Sequence, residues 1–75
     1  MNVLLIGSGG REHALALSLS QSPQLSHLYI APGNAGTALL GQNVPIKDTN
    51  ISSLLRFVDD NNIELTIVGP EAPLV

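Results

Sequence analysis

The sequence predicts a doubly wound α/β fold, with a parallel sheet of four strands in the order 3-2-1-4 and helices on both faces. Three observations predict it. Strand-like apolar runs alternate with helical segments, the first run is apolar throughout as in a strand covered on both sides, and the first and last runs each stop at a glycine.

Each element has its own signal in the chain. Val3, Leu4, Leu5 and Ile6 form the first strand, ended by Gly7. From Arg11 to about Ser22 the apolar residues Ala14, Leu15, Leu17 and Leu19 recur at helical spacing, and Pro23 helps to end the helix. His27–Ala31 reads as a second strand closed by Pro32-Gly33, and Pro32–Gly41 as a loop with room for one helical turn. Val44–Ile46 reads as a minimal third strand, confined to a sheet edge because Pro45 has no N–H. Asn50 is placed to cap a second helix with Ile51, Leu54, Leu55 and Val58 as its apolar face, ending at Asn61-Asn62. Leu65–Val68 makes the last strand, stopped by Gly69.

Right-handed crossovers then give the Rossmann-like order, in which strands one and four are central neighbours whose chains leave in opposite directions. Ligands of such folds bind in the crevice at the carboxyl ends of those strands. Three loops meet on that edge: Gly7-Ser8-Gly9-Gly10-Arg11-Glu12, Pro32-Gly33-Asn34 and Gly69-Pro70-Glu71.

The chemistry of the first loop is that of an anion pocket. Glycines at 7, 9 and 10 permit a tight turn and a close approach of bare N–H groups to a ligand, while the following helix directs its unpaired N–H groups to the same spot. A side chain at Gly10 is expected to block that approach and to strain the turn. Arg11 opposes the helix dipole and makes most sense facing an anion. Glu12 reads as a helix stabiliser, and His13 as structural or solvent-facing. His27, on the far edge, and Asp59 and Asp60, at the end of the second helix, read as non-functional.

Composition sets further bounds. The 75 residues are 44 % hydrophobic and 12 % charged, which suits one small core. With a formal net charge of −3 and only Arg11, Lys47 and Arg56 as basic residues, no patch exists to neutralise nucleic-acid phosphates. The chain has no cysteine, and His13 and His27 alone do not make a zinc site. No apolar run approaches a membrane span, and Met1 leads directly into the first strand without the basic start of a signal peptide. A cytosolic protein is expected. A dinucleotide fingerprint would need glycine at Glu12 and an acid near Ala31-Pro32, and a Walker A loop would need Gly-Lys-Ser/Thr. A small phosphorylated ligand fits better than NAD or ATP.

Three strings carry a more specific signal: Gly7-Ser8-Gly9-Gly10-Arg11-Glu12-His13-Ala14-Leu15, Tyr29-Ile30-Ala31-Pro32-Gly33-Asn34-Ala35-Gly36-Thr37 and Val68-Gly69-Pro70-Glu71-Ala72-Pro73-Leu74-Val75. Together they resemble the N-terminal, pre-ATP-grasp domain of the phosphoribosylamine–glycine ligase family. One departure is Leu17-Ser18, where that family often has Trp-Lys, well along the helix from its N-terminus. The resemblance implies an enzyme of purine synthesis that uses ATP and Mg²⁺ to activate glycine for attack by the amine of 5-phosphoribosylamine. It further implies that Gly9, Gly10 and Arg11 hold the sugar phosphate, with Pro32, Gly33 and Asn34 beside them, and that Glu71 accepts hydrogen bonds from the ribose hydroxyls.

On this reading residues 1–75 are a truncated substrate-binding domain. The ATP, Mg²⁺ and glycine sites fall in the remainder of the ligase chain, and no catalytic residue is expected here. Four strands leave sheet edges and parts of each face uncovered, so the piece is expected to be marginal alone and prone to associate. A stand-alone phosphate- or nucleotide-binding module, or an NAD-binding domain without the full fingerprint, is the alternative.

Overall fold

The computed structural model describes residues 1–7, 9–47 and 49–68. Its elements are β1 (Asn2–Gly7), α1 (Gly10–Ser20), β2 (His27–Pro32), a 3-10 turn (Thr37–Leu39), β3 (Gln42–Asn43), α2 (Ile51–Asp60) and β4 (Leu65–Val68). The four strands form one parallel sheet in the order β3-β2-β1-β4, as expected. Val3 pairs with Leu28 on one side and Leu65 on the other, which fixes the register of the centre.

The strand period of two divides the core between two layers. Val3 and Leu5 of β1 and Leu28 and Ile30 of β2 point to one face, where Ala16, Leu15 and Leu19 of α1 cover them. Leu4, Ile6, Tyr29 and Ala31 point to the other, under Leu54, Phe57 and Val58 of α2. The helices therefore lie on opposite faces. Leu4, Leu5 and Ile30 are wholly buried, each contributing about 1.5–3 kcal/mol of transfer free energy to holding the central strands.

Three details depart from the sequence reading. The third strand is Gln42–Asn43, not Val44–Ile46. The Val44 N–H still donates to the Ile30 carbonyl at 2.7 Å, but the Ile46 N–H then donates to the Val44 carbonyl at 2.7 Å, a tight turn around Pro45 that ends the ladder. In α2 the inward stripe is Leu54, Phe57 and Val58, leaving Ile51 and Leu55 60 % and 65 % exposed. The helix is turned so that Phe57 meets Tyr29 edge to face, with ring centroids 5.0 Å apart, a contact that aliphatic spacing does not encode. In α1 Ala14 and Leu17 are exposed, and the buried stripe is Glu12, Leu15, Ala16 and Leu19.

Both helix starts follow from local chemistry. Asn50 caps α2, its Oδ1 accepting the Ser53 N–H at 3.3 Å. Asn50→Ala is expected to cost about 1 kcal/mol of stability, read as a lowered midpoint in chemical denaturation of the full-length protein. An unchanged midpoint would mean the cap contributes nothing. Among the described residues no helix is long and apolar enough to cross a membrane.

Candidate anion-binding loops at the carboxyl edge of the sheet

β1 ends at Gly7 with φ +146°, a conformation that L side chains rarely adopt. The chain then reaches Gly9, the N-cap of α1, with extended backbone at φ −91° and ψ −175°. Glu12 folds back from the first turn, and its Oε1 accepts the Gly9 N–H at 2.7 Å. The first helical hydrogen bond runs from the His13 N–H to the Gly9 carbonyl at 3.2 Å. The N–H groups of Gly10, Arg11 and Glu12 precede it and have no acceptor within the helix. They form the positive end of α1.

Gly10 does not need glycine for its backbone. Its φ is not positive, and a Cβ built on it would meet nothing within 4 Å, so the expected strain of a side chain there is absent. Bare backbone at Gly10 faces open space. Arg11 beside it is exposed and forms no ion pair among the described residues.

The second loop is tied directly to the first. The Gly33 N–H donates to the Gly7 carbonyl at 3.0 Å, and Asn34 Nδ2 donates to the Gly9 carbonyl at 3.4 Å. The Ala31-Pro32 peptide is cis, and Gly33 follows at φ +75°. Gly33 also lies so close to its neighbours that a Cβ would stand 2.2 Å from Asn43 Oδ1 and 2.8 Å from Thr37 Oγ1. Gly9, Gly10, Arg11, Pro32, Gly33 and Asn34 are thus gathered at one sheet edge. Glu71, with the Gly69-Pro70-Glu71 loop and the rest of the third motif, lies outside the described residues.

A half-buried polar network around the buried Thr37 fixes the second loop. The Asn34 N–H donates to Thr37 Oγ1 at 2.8 Å, while the Thr37 N–H donates to Asn34 Oδ1 at 2.9 Å. The Thr37 hydroxyl lies 2.8 Å from Asn43 Oδ1 and 2.9 Å from the Asn34 carbonyl, which share its one proton. Asn43 Nδ2 donates to the same carbonyl at 2.8 Å. Thr37 is wholly buried, so sequence reasoning missed a structural role for it and for Asn43. The Asn34…Thr37 spacing of a reciprocal turn was the available signal for Thr37. Asn43 gave no such signal, because its bonds depend on strand pairing.

The histidines behave as structural or surface residues. His13 is exposed and lies against Gly36, where a Cβ would come within 2.9 Å of its Nδ1. His27 sits at the other end of the sheet, its Nδ1 3.2 Å from Asn2 Oδ1.

The chain matches, over residues 1–75, the family model described as phosphoribosylglycinamide synthetase, N domain. It is 64 % identical over 77 aligned residues to phosphoribosylamine–glycine ligase of Vibrio cholerae and 60 % identical to that of Escherichia coli K12. Both alignments cover the whole chain and 18 % of the relative, so the chain spans about a fifth of the length of these ligases. Among solved structures, phosphoribosylamine–glycine ligase of Thermotoga maritima superposes on all of the chain with a TM-score of 0.70 at 32 % identity, over 17 % of its own length.

Proposed function

The chain belongs to the phosphoribosylglycinamide synthetase N-domain family, and from that premise we propose that it forms the N-terminal part of an ATP-dependent ligase. That enzyme joins glycine to 5-phosphoribosylamine in purine synthesis, and residues 1–75 supply its sugar-phosphate site. The names of the relatives support the reaction. The observation that carries the site is the joining of two loops, through Gly33 to Gly7 and Asn34 to Gly9, at a helix N-terminus whose first N–H groups have no acceptor among the described residues, beside the exposed Arg11.

The division of labour follows from the chemistry of the side chains. First-turn N–H groups and a guanidinium suit the phosphate, whose oxygens accept several charge-assisted hydrogen bonds at once. Asn34, held by its own turn, is assigned to flank the sugar. Glu71, in the segment that follows β4 in the sequence, is assigned to the ribose hydroxyls as a carboxylate able to accept their hydrogen bonds. ATP and Mg²⁺ are cofactors of the whole enzyme and are held outside this chain. Among the described residues no group of three or more His, Cys, Asp or Glu could hold a metal ion, and the first loop lacks the lysine of a Walker A motif. The setting is cytoplasmic.

Two substitutions in the full-length ligase test the assignment by different routes. Arg11→Ala removes one charge-assisted contact worth about 1.5–3 kcal/mol, which should raise KM for 5-phosphoribosylamine by roughly 10- to 100-fold. Gly10→Val fills the open space above the loop without straining the backbone, so affinity should fall while stability stays near wild type. KM for ATP should be unchanged in both. If Arg11→Ala chiefly impaired ATP binding, or altered neither substrate, the loop would not be the sugar-phosphate site.

A further inference from the structure

We propose that Glu12 is a positioning residue of the anion loop: its buried carboxylate holds Gly9 inward so that the first-turn N–H groups beyond it, those of Gly10 and Arg11 among them, are left to meet the ligand. The inference rests on the sugar-phosphate reading of this loop. It starts from the inward stripe of α1, residues 12, 15, 16 and 19, where three positions are apolar and the first is a carboxylate 1 % exposed. An i, i+3, i+4, i+7 stripe normally calls for an apolar residue there.

The carboxylate is committed on one side only. Oε1 accepts the Gly9 N–H at 2.7 Å, whereas Oε2 is buried and has no hydrogen-bond partner among the described residues. A glutamate that closes a capping box usually does so in water, at no desolvation cost. Burying it with one neutral donor is unfavourable, because a charged oxygen loses its hydration without replacement. Gly7 is shaped to admit it. A Cβ at Gly7 would stand 2.3 Å from Glu12 Cγ and 2.6 Å from Cδ. A costly group accommodated by a glycine at a φ that other residues rarely adopt is the kind of local conflict found where function dictates the geometry.

The consequence is a definite set of donors. With Gly9 N–H taken by Glu12, and Gly9 carbonyl taken by His13 N–H and Asn34 Nδ2, Gly9 is saturated within the protein. It serves as the pivot on which the loop turns. Gly10, Arg11 and Glu12, next along the helix, carry the N–H groups that have no acceptor among the described residues.

Amide exchange in the wild-type full-length ligase, read residue by residue with ribose 5-phosphate as the probe, tests this directly. Gly9 N–H is expected to be protected before the probe is added, and Gly10 and Arg11 N–H only after it. Gly9 becoming protected only with the probe would overturn the proposal. Kinetics supply a second arm. Glu12→Asp retracts the carboxylate from Gly9 and should raise KM for 5-phosphoribosylamine by about 10- to 100-fold, as expected of a displaced binding loop, with KM for ATP unchanged. Glu12→Gln keeps an oxygen for Gly9 and should stay within about threefold of wild type, even where the buried amide lowers its melting temperature. A folded Glu12→Asp enzyme with wild-type KM, or a Glu12→Gln enzyme as impaired as Glu12→Asp, would reduce Glu12 to a stability element. If ribose 5-phosphate protects neither Gly10 nor Arg11 and Arg11→Ala leaves KM for 5-phosphoribosylamine unchanged, the sugar-phosphate reading fails and this proposal falls with it. If those effects appear and the Glu12 effects do not, only the positioning role is lost.

Discussion

The 75-residue chain, purified alone and given ATP, Mg²⁺, glycine and 5-phosphoribosylamine, is expected to form no glycinamide ribonucleotide above the uncatalysed level. Phosphoryl transfer from ATP depends on metal-bound phosphates held in line with the acceptor, which takes carboxylates for the metal and cationic groups for the phosphates. The whole chain has three basic residues, of which Arg11 is assigned to the sugar phosphate, while Lys47 and Arg56 lie near and within α2 on another part of the fold. The described residues contain no cluster of metal-ligating side chains. The chain also spans only 18 % of the length of the ligases it matches. Product formation is read by quantifying glycinamide ribonucleotide after long incubation. Turnover dependent on ATP and proportional to chain concentration would overturn the division of labour proposed above, because it would place the chemistry within these residues.

Gly7→Ala should have the largest effect on the fold among single substitutions at this edge. At φ +146° an alanine is strained whatever the space around it, and here there is no space, since the new Cβ would stand 2.3 Å from Glu12 Cγ. Relief requires Glu12 to leave its buried position, which breaks its bond to Gly9 and takes the tie from Gly33 to the Gly7 carbonyl with it. Backbone strain of about 1–2 kcal/mol and the loss of buried hydrogen bonds at about 1–3 kcal/mol combine to roughly 3–5 kcal/mol. In the full-length ligase this should appear as faster hydrogen exchange across β1 and the start of α1, together with loss of 5-phosphoribosylamine binding. Wild-type exchange in both segments would show that neither the turn nor Glu12 needs glycine at this position. The contrast with Gly10→Val is informative, because that change is expected to spare the fold and affect the ligand alone.

The glycines of the first loop therefore separate into distinct roles that look alike in the sequence. Gly7 makes room for a side chain of its own protein, and Gly10 leaves bare backbone at open space. Gly9 lies between them with both its polar groups engaged. Spacing identifies such a loop, but it cannot say which glycine is for packing and which is for a ligand, because that depends on where the Glu12 side chain goes from the first helical turn.

The strand order, the opposite placement of the two helices, the helix cap at Asn50 and the gathering of Gly9, Gly10, Arg11, Pro32, Gly33 and Asn34 at one edge were all legible in the chain before folding. These follow from short-range signals, namely hydrophobic period, glycine and proline stops and crossover handedness, which act within a few residues and are written in the order of the chain. The three motifs that resemble the ligase family are of the same local kind, and the family match agrees with them. Only the tertiary structure decided the rest. It turned α2 so that Phe57 rather than Ile51 and Leu55 faces the sheet, moved the third strand back to Gln42–Asn43, buried Thr37 with Asn34 and Asn43, and sank the Glu12 carboxylate beneath Gly7. Each of these is settled by which side chains meet across the sheet, a competition for space and hydrogen-bond partners between residues distant in the chain.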